Sequence, residues 1–569
     1  MNGVMRIGSD NGVPFLTSIC AAPAFISRKM ENIDSNTEKL ELTFLSHHQW
    51  KRIIVPRGDA MDRHRLLRTA DDGFPVTSTN AAALVSFLSS FEAENVDNIK
   101  FYRSISRIGW FNGTDEFFPF LTRGEVLYDG SNEDAQQFKA ICSSGDRETW
   151  MNMAVKLRQL PFARTMLAAS FASVLLEPLK HRVLYLHIWA MFGSGKTACE
   201  KAAISVWGDP VKLMMSYNST MVGLERMASI MGNLPLAIDE LQALTLREGM
   251  MSTIVYMLGE GFGKARGNKN GGTQKKLEWK NTILSTGEET IVKSNAMDGV
   301  STRVMEITGA PIPDPVFARE AHQISEQNYG FAGKEFMKVL FDRYLDKNIQ
   351  HSGKDGKKIS GLEKLRNVYA EMVESIKSVY TILYPDEPGS HLQNVAVLAL
   401  ADYISSVGLF DVDESRALGE ATAFGTELLR CIQESTPADT VSRAWVAVRD
   451  WVSTNIDHFD GVPNARRDVT LSPVFGRYDR EKDVFFIIPS ALKKAVSEAG
   501  FSEGQAIKGF KDRQLISSSQ LQKRVDKKSD KVYEVHLGES DILTMPKSTI
   551  IVDDDTPALC ASRPKELPA

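Results

Sequence analysis

Five consecutive residues, Gly193-Ser194-Gly195-Lys196-Thr197, are the part of this 569-residue chain best suited to chemistry, and that chemistry is the holding of phosphate. Glycines let the backbone fold so that its N–H groups point inward at an anion, and a helix that starts there adds its positive N-terminal end. Lys196 would reach the β and γ phosphates of a nucleotide, and the Thr197 hydroxyl would ligand Mg2+. The full pattern G-x-x-x-x-G-K-[ST] asks for glycine where this chain has Ala190, a departure that is tolerated if that residue keeps a negative φ. Such a loop needs a strand before it and a helix after it. The apolar run that begins at Val183 reads as the strand, and residues 198–207 read as the helix.

A second apolar run, LPLAIDE, ends in Asp239 and Glu240. Ligands of open α/β sheets bind at the carboxyl ends of strands, so Asp239 suits a place behind Mg2+ and Glu240 suits the base that polarises an attacking water. Alone, two such acids are as often a solvated strand end; lying one strand-helix unit after the loop favours the chemical reading. The run ILSTGEE brings Ser285 and Thr286 near the γ phosphate if its strand lies between the other two. Either hydroxyl could hold the lytic water or simply end the strand. Arg303, at the mouth of the next strand, would in a ring face the neighbour's nucleotide and neutralise charge in trans; the plain alternative is a surface arginine.

Before ILSTGEE sits GEGFGKARGNKNGGTQKKLEWK, in which Lys264, Arg266, Lys269, Lys275 and Lys276 flank the turn signature Asn270-Gly271-Gly272. Hairpins of this kind meeting at the axis of a ring would line a cationic channel for a DNA backbone.

The elements that must position these groups alternate as a parallel sheet requires: strands at 211–216, 234–238, 282–286 and 303–307, helices at 221–231 and 246–258, and a helical stretch at 146–179 to cover one face. Upstream, short strand-like runs at 40–44, 53–55 and 106–111 and an amphipathic helix at 81–91 read as a separate α+β unit without a catalytic constellation. Its His47 and His48 are adjacent, so on a strand they would face opposite ways and make a poor metal pair. Downstream, 361–431 is helical, with 392–407 apolar enough to be buried. The sequence then reads strand, helix, turn, helix and a strand pair, the order of a winged helix. Between Ala491 and Lys531 ten Lys or Arg stand against five acids, although the whole chain carries -5. That local excess favours phosphate contacts. The tail from Asp553 is acidic and is expected to be disordered. Apolar content of 43% and charged content of 24% are those of a globular protein. No apolar stretch is long enough to span a bilayer, which excludes a membrane partner and leads us to expect a cytoplasmic protein. Five cysteines without a C-x-x-C pair exclude a disulfide framework and a zinc ribbon.

Together FGSGKT, LPLAIDE, GKARGN, WKNTILSTGEE and GVSTRVMEIT, with ISRIGW upstream, resemble the domain-of-unknown-function family 927 over roughly residues 10 to 540. This family contains helicase-like AAA+ ATPases of bacterial mobile elements and prophages, the cassette chromosome helicase type among them. The resemblance implies an α/β fold: an AAA+ P-loop ATPase core with a parallel sheet at 146–345, preceded by the small α+β domain at 1–145. A helical lid at 346–440, a winged-helix-like domain at 441–540 and a tail at 541–569 would follow. The family's ATPase is similar to that of minichromosome maintenance helicases. That implies ATP and Mg2+ as cofactors, a homo-hexameric ring, single-stranded DNA in a central pore, and a part in replicating a mobile element or prophage. Related proteins often carry a primase or zinc-binding module, absent here, so priming would fall to a separate primase or polymerase. An AAA+ lid often supplies an arginine to the γ phosphate; the residues do not single one out, and for Arg416 and Arg430 the structural reading is the stronger one. Two other functions fit the motifs: an ATPase that remodels or loads proteins without unwinding DNA, and a nucleotide-binding scaffold that has lost hydrolysis.

Overall fold

The computed structural model describes residues 3–131, 134–190, 192–239, 250–267, 276–288, 290–291, 302–352, 356–385, 391–435, 440–462, 472–499, 503–525 and 528–536. Five parallel strands form the central sheet: β1 (Leu184–Trp189), β2 (Met215–Ser216), β3 (Leu236–Asp239), β4 (Thr282–Gly287) and β5 (Val304–Thr308). Their order is β2-β3-β4-β1-β5, with Leu186 level with Leu284 on one side and Met305 on the other. Four of these strands are apolar on both faces and buried along most of their length, as a parallel sheet covered on both sides demands. The helices Lys196–Ile204, Met221–Met231 and Met250–Glu260 fall between strands, and Pro161–Ala172 packs against the sheet. Met221–Met231 starts where expected because the Thr220 hydroxyl accepts from Gly223 N–H.

The expected strand at 211–216 is mostly a helix. Pro210 at its first turn and the Asp209 carboxylate, which accepts from Val211 N–H, start the helix Pro210–Leu213 and leave only Met215–Ser216 to pair. His47 and His48 also depart from expectation. Both have positive φ, 50° and 62°, and they form the turn between strands Glu38–Ser46 and Gln49–Pro56.

The N-terminal region has its own sheet, in the order Gln49–Pro56, Glu38–Ser46, Ala24–Asn32, Lys100–Ile105, Val126–Tyr128, and its own core around Leu40, Phe44, Leu84 and Leu88. From Ile108 onward the chain packs differently: Ile108, Trp110, Phe117 and Ala140 belong to the large core under the central sheet. The Ile108 N–H donates to Ile230 O at 2.8 Å and Trp110 Nε1 to Val174 O at 2.8 Å. Helices Gly361–Leu383, Leu392–Gly408 and Glu414–Ser435 share that core, with Leu392–Gly408 buried along nearly its whole length. Asp402 on the middle helix accepts from Arg158 and from Arg164, 3.1 and 2.6 Å away, and so ties this layer to the helix over the sheet. A third core, with Phe459, Phe485 and Phe510, holds strands Gly476–Asp479, Val484–Ile487 and Lys528–Val535 against helices Pro489–Glu498 and Glu503–Asp512, and a smaller cluster of Val484, Phe486, Val525 and Val532 holds strand Leu521–Val525. The expected tail lies outside the described residues.

Candidate nucleotide site

Strand β1 ends at Trp189 and the helix Lys196–Ile204 begins seven residues further along the numbering, so the phosphate-loop sequence is the link between them. Gly193 and Gly195 have φ of 82° and 78°, which side-chain-bearing residues rarely adopt. A Cβ on Gly195 would also come within 2.7 Å of Ile312, whose N–H donates to Ser194 O. Ala190 is not among the residues of positive φ, so its methyl is compatible with the turn. Lys196 Nζ donates to Ala190 O at 2.7 Å and lies 3.4 Å from Ser194 Oγ. Burial lowers its pKa, and the charges of Glu288 and Asp239 oppose that shift.

Asp239 stands at the carboxyl end of β3, beside the loop. Thr197 Oγ1 donates to Asp239 Oδ2 at 2.8 Å, and Thr286, near the end of β4, meets Asp239 Oδ1 through its hydroxyl. Because β4 lies between β3 and β1, three strand ends and one helix converge on these groups. The same Thr286 hydroxyl lies 3.0 Å from Glu200 Oε2. Glu200 is fully buried on the phosphate-loop helix, and burial together with the nearby Asp239 charge pushes its carboxyl well above the usual range. Sequence reasoning passed over Glu200. Its signal was a lone acid among Ala198, Cys199, Ala202 and Ala203 on a helix face that had to be buried.

Ser285 alternates to the other face of β4. Its hydroxyl is 2.9 Å from His187 Nδ1 and 2.7 Å from Tyr217 Oη, which in turn meets Tyr185 Oη at 2.5 Å. Ser285 is thus held in a buried polar chain apart from Asp239, and of the two hydroxyls only that of Thr286 meets the carboxylate. Glu306 on β5 accepts from Thr290 Oγ1 at 2.6 Å and from Ile291 N–H at 2.5 Å, fixing the segment that follows β4. Glu240 lies outside the described residues.

Arg303 immediately precedes β5, at the opposite end of the sheet from the loop, with its guanidinium 4.6 Å from the Tyr256 ring centroid. The basic segment forms a paired stem: Gly263 N–H donates to Leu277 O at 2.8 Å, and Phe262 bridges Glu278. Arg266 is committed to Glu225, a buried acid on Met221–Met231, through bonds of 3.0 and 2.5 Å; the same carboxylate takes Lys264 N–H at 3.0 Å. Lys276 Nζ lies 5.0 Å from the centroid of the Phe262 ring. Lys269, Lys275 and the turn at 270–272 lie outside the described residues. Of the lid candidates, Arg416 pairs with Glu420 and the buried Arg430 with Glu427, each within its own helix.

Residues 1–278 match the profile of the family described as Domain of unknown function (DUF927), and residues 439–540 match the Cch helix turn helix domain. The chain is thus similar to the DUF927 family over residues 1–278, as its motifs led us to expect. Its fold is that of a solved structure described as SCCmec type IV Cch, active helicase: the two align with a TM-score of 0.60 at 16% identity, over 94% of this chain and 96% of that one. The C-terminal region of NrS-1 aligns over 89% of this chain and 96% of that one, but at 11% identity and a TM-score of 0.27 it adds nothing to the fold assignment. No curated protein matches in sequence. Among the described residues no helix is long and apolar enough to cross a membrane, and no cluster of His, Cys, Asp and Glu could hold a metal ion.

Proposed function

We propose that the chain is an AAA+ ATPase that assembles into a ring and acts as a DNA helicase or translocase in the replication of a mobile element. The observation that carries this reading is the meeting of Lys196, Thr197, Asp239 and Thr286 at the carboxyl ends of β1, β3 and β4. The site fits ATP with Mg2+. Two glycines of positive φ shape a loop at a helix N-terminus, a buried lysine sits within it, and a hydroxyl and a carboxylate stand side by side as hard oxygen donors. Bound there, the nucleotide supplies the phosphoryl group to be transferred to water. Lys196 would leave Ala190 O for the β and γ phosphates, while Thr197 and Asp239 would hold the metal. Thr286, rather than Ser285, is the polar group of β4 that reaches this end. Glu240, next in sequence after Asp239, is assigned the task of orienting the lytic water.

Arg303 acts on a neighbour. Thr308, not Arg303, is level with Trp189. At about 3.3 Å per residue Arg303 therefore lies roughly 15 Å from its own loop. β5 is an edge strand, and in a ring its amino end would face a second subunit. The stem at 262–267 and 276–278 would carry Lys264, Lys269, Lys275 and Lys276 toward single-stranded DNA, with Arg266 anchoring the stem through Glu225. The helix-turn-helix region at 439–540 would add a second DNA contact.

The test is a strand-displacement assay run beside ATP hydrolysis, with electron microscopy of the protein bound to single-stranded DNA and a slowly hydrolysed analogue. A Lys276→Ala protein should hydrolyse ATP without DNA yet unwind poorly. Turnover and ring formation without any unwinding or DNA response would instead mark a protein-remodelling ATPase, and a monomer that turns over at full rate with ATP and DNA would remove the shared-site reading.

A further inference from the structure

Resting on the nucleotide-site reading, we propose that Glu200 is a positioning residue: as a neutral carboxylic acid it donates a hydrogen bond to Thr286, which donates in turn to Asp239 and so fixes that carboxylate against Thr197. Glu200 lies one helical turn beyond Thr197 on the same helix, fully buried, with Oε2 3.0 Å from Thr286 Oγ1. The Thr286 hydroxyl also touches Asp239 Oδ1. A hydroxyl has one proton to give. Between two ionised carboxylates one of its two contacts would set acceptor against acceptor; a proton on either acid makes both contacts favourable.

The proton belongs on Glu200. Asp239 is only half-buried and its other oxygen accepts from Thr197. Glu200 has less relief: its Oε1 is buried without a hydrogen-bonding side chain, and burial together with the Asp239 charge outweighs the pull of the Thr286 hydroxyl and the Ile238 backbone N–H toward the ionised form. Burial and the Asp239 charge both raise the Glu200 pKa. A carboxylic acid kept neutral by its surroundings can serve as a hydrogen-bond donor at neutral pH. The direction of the chain then follows, from Glu200 to Thr286 to Asp239, whose other oxygen is held by Thr197 beside the phosphate loop.

Infrared spectra of the full chain without nucleotide, at pH 7, test the protonation directly. The wild type should show a carboxylic-acid C=O band that is missing from Glu200→Gln; identical spectra in that region overturn the proposal whatever the ATPase does. Kinetics test the positioning. Glu200→Gln keeps size and donor and should stay within about twofold of wild type in kcat and in the Mg2+ concentration for half-activation, whereas Glu200→Leu should lose at least tenfold in kcat and need more Mg2+. Adding Thr286→Val to Glu200→Leu should do no further harm than Thr286→Val alone. A Gln protein with a tenfold loss overturns the proposal even if the Leu protein does not fold, and so does a Leu protein equal to wild type. A wild type that binds no magnesium nucleotide sinks the ATPase reading instead and leaves the infrared result to stand or fall alone.

Discussion

The two ends of the central sheet are built on different plans. At the carboxyl end, Thr197, Asp239, Thr286 and Glu200 are bonded to one another, and each is placed by regular backbone: two strand ends and the first turns of a buried helix. At the amino end each cation leans on a different neighbour: Arg303 on Tyr256, Arg266 on Glu225, Lys276 on Phe262. A connected set of groups fails as a unit, whereas separate surface pairs fail one at a time and by small amounts. The carboxyl end should therefore respond to single changes with large losses of chemistry, and the amino end with graded losses of stability or affinity.

Arg303 is the exception that would sharpen this contrast, because in a ring it belongs to another subunit's carboxyl end. Arg303→Ala should lower hydrolysis by about 10³-fold while leaving nucleotide binding by the isolated subunit unchanged. Lys196→Ala should lower hydrolysis by about 10² to 10³-fold and weaken binding as well. Mixing the two inactive proteins decides between cis and trans action. Some interfaces would then pair an intact Lys196 with an intact Arg303, and part of the activity should return. A mixture as inactive as its components would place the arginine outside the site.

The graded end is represented by Glu225. Glu225→Ala removes the carboxylate that holds both the Arg266 guanidinium and the Lys264 N–H, and should reduce stability by about 1–3 kcal/mol, read from denaturant unfolding. Basal hydrolysis should hardly change, while unwinding falls because the stem loses its anchor. Lys276→Ala is milder still. It gives up a cation–π contact of about 0.5–1 kcal/mol and one phosphate partner, so the slope of DNA affinity against salt concentration should drop by about one counterion. An unwinding defect larger for Lys276→Ala than for Glu225→Ala would break the idea that the stem acts through its anchor.

The same contrast explains what could be read from the chain alone. The loop, β3, β4 and Met221–Met231 were legible because each is written locally, as an apolar run closed by glycine, acid or a capping threonine. Glu200 was not, since its partner Thr286 lies 86 residues away and only the parallel pairing of β1, β3 and β4 brings them together. Arg266 was read as a DNA contact for the same reason: Glu225 is 41 residues upstream, and a basic turn gives no hint of a buried acid beneath it. The expected strand at 211–216 failed on a local signal that apolar spacing outweighed, the Asp209-Pro210 helix start. Ser285 and Thr286 could not be separated until alternation along β4 assigned each a face.

Ala190 gives the smallest expected effect and a direct check on how rigid the carboxyl end is. Its φ is negative and its N–H donates to Gly287 O at 3.1 Å, so the residue is already held in place by β4 without the freedom that glycine offers. Ala190→Gly restores the usual phosphate-loop pattern but adds backbone freedom to the unfolded chain, at roughly 0.5–1 kcal/mol of stability. Hydrolysis should stay within about twofold of wild type, because none of the bonds among Thr197, Asp239, Thr286 and Glu200 involves Ala190. A large gain in turnover would mean instead that the alanine restrains the loop, that Lys196 is held on Ala190 O at the expense of the phosphates, and that the carboxyl end is less fixed than its hydrogen bonds imply.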